Sequence, residues 1–114
     1  MRPAERLEVL RNALPGCTVA VYADISAEMA LAVAAEVRPV QERLDMLCAE
    51  AARLLSGPEA PEAVARLAPG GTELFLRSTV DPEDALCVLA TPGADLDAAL
   101  REGRALFAAF GGAA

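Results

Sequence analysis

Two runs of this chain, residues 17–23 (CTVAVYA) and 85–90 (ALCVLA), carry no charge and no regular alternation of apolar and polar residues. A strand with one wet face alternates with a period of two, whereas a strand that is apolar throughout is covered on both faces. The runs therefore predict two central strands, each needing other elements above and below it. With 114 residues the chain is long enough for one modest core, and residues 1–114 are expected to form a single domain.

The remaining segments can be arranged around that requirement. Leu7, Leu10 and Leu14 recur at helical spacing between Pro3 and Pro15-Gly16, so the first element is a helix. Asp24-Ile25-Ser26-Ala27 reads as a turn. Residues 28–35 (EMALAVAA) then read as a hairpin partner to the first run, although Ala-rich sequence also favours helix. Between Pro39 and Gly57, the residues Val40, Leu44, Leu47, Ala51 and Leu54 form one stripe at spacings of 4, 3, 4 and 3, which predicts a long helix. Met46 and Ala49 interrupt its polar face one turn apart, leaving room for a second helix to approach.

Residues 56–62 (SGPEAPE) form a loop, and residues 63–68 (AVARLA) a weak strand whose Arg66 suits a sheet edge. Pro69-Gly70-Gly71 turns the chain into residues 72–80 (TELFLRSTV). Asp81-Pro82-Glu83-Asp84 is a second turn, with Pro at its favoured position. The last helix starts near Asp95, buries Leu96, Leu100, Gly103, Phe107 and Phe110, and ends at Gly111-Gly112. The order is α-β-β-α-β-β-β-α. Placing the two apolar runs in the middle gives an antiparallel five-stranded sheet of order 2-1-5-4-3 flanked by helices, an α+β fold.

Composition narrows the chemistry. The chain has no His and no Lys, so all ten cations are Arg. Ser-His and Cys-His catalysis and His-based zinc sites are thereby excluded. A net charge of −7 opposes binding to nucleic acid. Cys17, Cys48 and Cys87 are widely spaced in apolar surroundings, as small buried hydrophobes of a reducing compartment would be. The charged N-terminal segment lacks the apolar stretch of a signal peptide, and no run is long enough for a membrane span. A cytoplasmic location without membrane contact is the expectation.

No motif adds an activity. Pro69-Gly70-Gly71-Thr72 is too short for a phosphate loop and precedes a strand. Asp81, Glu83, Asp84, Asp95 and Asp97 form an Arg-free acidic stretch without the ligand spacing of a calcium loop. Six Arg face eight acids through Gly57 and four face nine beyond it, so the second half is the more acidic. Arg77 is expected to cap the sheet edge or pair with Glu73; an arginine finger acting on another protein is the functional alternative. No metal, no cofactor and no enzymatic activity is expected.

Residues 72–110 (TELFLRSTVDPEDALCVLATPGADLDAALREGRALFAAF) resemble the C-terminal half of the Roadblock/dynein-light-chain family. The shared pattern is a strand with a central Arg, an acidic turn, a Leu-Val-Leu-Ala strand, a Pro-containing break and a terminal amphipathic helix. The upstream order of helix, CTVAVYAD strand, Met29–Val33 strand and long helix fits as well. The resemblance implies a bacterial Roadblock-like domain with a profilin-like sandwich. It also implies a homodimer in which the long middle helix and the third strand each meet their copy, making one sheet across two subunits. That places the interface at Met46, Ala49, Arg53, Ala63, Ala65 and Leu67. It further implies a noncatalytic scaffold or regulator whose central helices hold a partner on their outer face, in bacteria a small Ras-like GTPase. Ser26-Ala27-Glu28 departs from the family, which often has Gly there. A ligand-binding sensory module with a pocket between sheet and helix, and a plain dimeric adaptor, are the competing readings.

Overall fold

The computed structural model describes residues 2–111. Its elements are α1 (Pro3–Ala13), β1 (Cys17–Asp24), β2 (Met29–Ala35), α2 (Gln41–Leu55), β3 (Ala63–Ala68), β4 (Gly71–Arg77), β5 (Asp84–Ala90) and α3 (Leu96–Gly111). The strands pair antiparallel in the order β2-β1-β5-β4-β3, the expected one. Both uncharged runs lie inside the sheet, and β1 is flanked by β2 and β5.

Alternate residues of the inner strands feed two cores. Ala20 and Tyr22 of β1, Leu74 and Leu76 of β4, and Leu86 and Val88 of β5 pack against Leu7 and Leu10 of α1 and Ala99, Leu106 and Phe107 of α3. Val19, Val21, Phe75, Ala85 and Cys87 face the other way, onto Leu44, Leu47, Cys48, Ala51 and Leu55 of α2. The sheet is thus the middle of three layers. This explains the absence of polar alternation in β1 and β5.

The helix stripes differ in detail from those expected. Val40 precedes the first helical residue and is 71% exposed; Cys48 and Leu55 join the buried stripe of α2, while Leu54 is half-buried. Pro39 stands two residues ahead of α2. In α3 the buried centre is Ala99, Gly103, Leu106 and Phe107, with Leu96, Leu100 and Phe110 at its margins. Gly103 sets this crossing, since a Cβ there would lie 2.6 Å from Leu76 Cδ2. Asp95 caps α3, its carboxylate accepting from the Ala98 N–H at 3.0 Å. Gly112, expected to close that helix, lies outside the described residues.

The turns follow their local chemistry. Asp24 accepts hydrogen bonds from the Ser26 and Ala27 backbone N–H groups, and Glu28 then takes φ 51°, a left-handed conformation. Asp84 N–H closes the Asp81-Pro82 turn on the Asp81 carbonyl at 2.9 Å. A two-residue turn at Pro69-Gly70 sets Ala68 opposite Gly71. Gly71 has φ 153°, and a Cβ there would lie 2.0 Å from the Ala90 carbonyl oxygen. In urea unfolding, Gly71→Ala is expected to cost about 3 kcal/mol. Glu28→Gly should stabilise by about 0.5 kcal/mol, the strain relieved slightly exceeding the extra unfolded-chain entropy.

Candidate self-association and partner interface

The α2 layer buries one stripe and leaves the opposite one bare. Met46 is 59% exposed, and Ala49 and Arg53 beside it are exposed as well. Spacings of three and four residues place all three on one helix face. That face combines a large apolar side chain, a small one and a cation, and its middle offers no bulk to keep a second helix away.

The edge strand β3 is tied to α2 by a chain of alternating charges. Arg43 Nη2 donates to Glu73 Oε2 at 3.3 Å, and Arg66 Nε donates to Glu73 Oε1 at 2.8 Å. Arg66 Nη1 reaches Glu50 Oε1 at 2.5 Å, and Arg53 Nε reaches Glu50 Oε2 at 3.1 Å. The Arg66 guanidinium also lies over the Phe75 ring, 5.0 Å from its centroid. Exposed ion pairs contribute about 0–1 kcal/mol each. This network is better sheltered, because the Glu73 side chain is only 13% exposed. Arg53, and behind it Arg66, hold the Glu50 carboxyl down at about 2.

Sequence reasoning missed this network and offered Glu73 as one of two places for Arg77, the other being the sheet edge. Residues i and i+4 of one strand stand about 13 Å apart, too far for a pair. The hairpin register gave the usable signal: with Ala68 opposite Gly71, Arg66 falls opposite Glu73. Arg77 does not cap the sheet edge either. Its Nη1 donates to the Leu55 carbonyl at 3.0 Å, satisfying the end of α2.

The six sequence-predicted interface residues occupy two surfaces. Ala63 packs on the α1/α3 side and Val64 on the α2 side, so strand alternation sends Ala65 and Leu67 away from α2. Leu67 is 87% exposed. Met46, Ala49 and Arg53 therefore lie together above the edge of β3, while Ala65 and Leu67 lie below it. The free backbone edge of β3 is what connects them.

At the start of α3 the interior is closed. The cavity between the sheet and the start of α3, lined by Leu74, Val88 and Leu96 among others, measures about 20 Å³, room for a single water. All three cysteines are buried and free, and burial raises each thiol above its ordinary value. The acidic stretch is split between the two ends of the sheet. Asp84 faces Asp24 across the β1–β5 pair, whereas Asp95 lies with Cys17 and Ala90 at the other end. Among the described residues no helix is long and apolar enough to cross a membrane.

The three layers, the element order and the sheet order are those of the Roadblock/LC7 fold, which this chain therefore has. A Roadblock/LC7 domain from Streptomyces avermitilis superposes with a TM-score of 0.76 at 19% identity, over 93% of this chain and 92% of that one. MglB from Myxococcus xanthus gives 0.77 at 8% identity, over 96% and 92%. The gliding protein MglB from Thermus thermophilus gives 0.69 at 19% identity, over 97% and 90%. Compared as a sequence, the chain matches no family profile and no curated protein.

Because Glu50 titrates lower folded than its ordinary value of 4.5, its contribution to stability is fully present above that value. It is lost as pH falls through about 2. Urea unfolding of Glu50→Gln is expected to show lower stability at pH 7 and a shallower decline on acidification than the parent. Parallel acid limbs would remove Glu50 from the account.

Proposed function

We propose that this chain is a noncatalytic regulator that pairs with a second copy and presents the outer face of its α2 helices to a partner protein, a small Ras-like GTPase. The observation that carries the reading is the free edge of β3, linked to α2 by the Arg43–Glu73–Arg66–Glu50–Arg53 chain. Antiparallel pairing of β3 with its copy satisfies the open backbone groups. A twofold axis through that edge brings the Met46/Ala49 faces together on one side and Ala65 and Leu67 on the other. The two separated sets of residues thus become parts of one self-complementary interface. Exposed Met46 and Leu67 are its apolar contributions.

The regulatory role rests on the Roadblock resemblance, and the choice of a GTPase on what that family binds. The chemistry of the chain is compatible with it: without His or Lys, and with its thiols buried, the protein offers a surface rather than a nucleophile. A GTPase partner would then have to supply its own catalytic groups, with the dimer ordering them. Partner choice would depend on α2 side chains that the dimer leaves exposed.

Light scattering of the full chain is expected to give a dimer. Met46→Glu and Leu67→Glu, each on an exposed side chain, should yield folded monomers with the parent's far-UV circular dichroism. A monomeric parent at high concentration would end the dimer proposal. Affinity purification from native extract should recover a GTP-binding protein with the parent and lose it with Met46→Glu; a recovered partner without a phosphate loop would rule out the GTPase.

A further inference from the structure

The acidic turn before β5 and the aromatic end of α3 belong to neither the α2 face nor the β3 edge, yet they meet around a cavity of about 330 Å³. Tyr22, Val80, Asp81, Asp84, Phe107 and Phe110 line it. That volume falls at the lower end of ligand pockets, which suits a molecule of a few carbons. The aromatic wall is well defined. Tyr22 and Phe110 meet edge to face with centroids 5.1 Å apart, and Tyr22 and Phe107 lie at 5.9 Å.

The opposite wall carries negative charge without an internal counterion. Asp84 Oδ2 accepts a hydrogen bond from the Tyr22 hydroxyl, a neutral partner. Among the described residues no Arg lies within ion-pair distance of Asp81 or Asp84. Burial, with Asp81 and Asp24 nearby, raises the Asp84 carboxyl above its ordinary value. Among the described residues the last turn of α3 carries no basic residue of its own, and its negative end lies beside the cavity. The Phe110 ring already receives one cation, the Arg6 guanidinium at 5.8 Å from its centroid. Among the described residues no three Cys, Asp or Glu side chains gather closely enough to hold a metal ion, which points to an organic cation.

We propose that this cavity binds a small free alkylammonium ion, its charge between Asp84 and Asp81 and its alkyl part against Tyr22, Phe107 and Phe110. Carboxylate and aromatic walls together recognise a positive head on an apolar stem, as cation–π sites do. The site is independent of the dimer and of the GTPase reading.

Tyr22 is the chain's one tyrosine and there is no tryptophan, so intrinsic fluorescence reports on the cavity directly. Titration of the full chain with butylammonium chloride, against sodium chloride at matched ionic strength, is expected to give a saturable change in emission. Asp84→Asn should weaken the apparent affinity about tenfold, and Phe110→Leu about threefold. Asp97→Asn, in the first turn of α3, should leave it unchanged. If Asp84→Asn fails to fold, Asp81→Asn, on an exposed side chain, takes its place with a loss of about threefold. A response that only follows ionic strength, or a carboxylate variant that keeps the parent's affinity, overturns the proposal.

Discussion

Covering β1 and β5 on both faces is the constraint from which the rest of the architecture follows. Alternate residues of these strands are buried in opposite directions, Val21 and Cys87 towards α2, Tyr22 and Leu86 towards α1 and α3. Each fully buried aliphatic side chain contributes about 1.5–3 kcal/mol, and leaving either face bare would forfeit several at once. One helix on one side and two on the other meet that need in a short chain. Gly103 and the many alanines let the helices approach the sheet closely despite the shortage of aromatic side chains.

This layering also determines where surface remains for interaction. The inner strands are sealed, so among the described residues the open edges of the sheet are those of β2 and β3. The β3 edge is joined to the helix above it by charge: Arg66 bridges Glu73 in the neighbouring strand and Glu50 in α2 while covering Phe75. Side chains already paired in the free chain lose less conformational entropy on association than unpaired ones. The opposite end of the molecule has another character. There three aromatic rings and the acidic turn form a recess, and fold similarity to Roadblock/LC7 structures says nothing of its chemistry.

Much of this was legible in residues taken one segment at a time. The uncharged runs gave the central strands, the leucine spacing gave the helices, and Pro and Gly gave the breaks. The sheet order followed from deciding which strands had to be central. Register and pairing were less accessible. Arg77 was expected either to cap the sheet edge or to pair with Glu73 on its own strand, whereas a two-residue turn sets Glu73 against Arg66. The α3 stripe kept Gly103 and Phe107, but its buried centre took in Ala99 and Leu106 and left Leu96, Leu100 and Phe110 at the margins, a rotation about the contact of Gly103 with Leu76 and Leu86. The six interface candidates read as one patch along the chain and proved to lie above and below a sheet edge.

The sequence by itself determined the element order, the central position of β1 and β5, and the absence of imidazole and lysine chemistry. These depend on side-chain polarity and local backbone preference, which each segment carries with it. Only the tertiary structure decided that Glu50 and Glu73 share Arg66, that Arg77 closes the end of α2, and that Asp84 shares a recess with Phe107 and Phe110. Those contacts join residues from 7 to more than 20 positions apart. They exist only once close packing has fixed how the layers lie on one another.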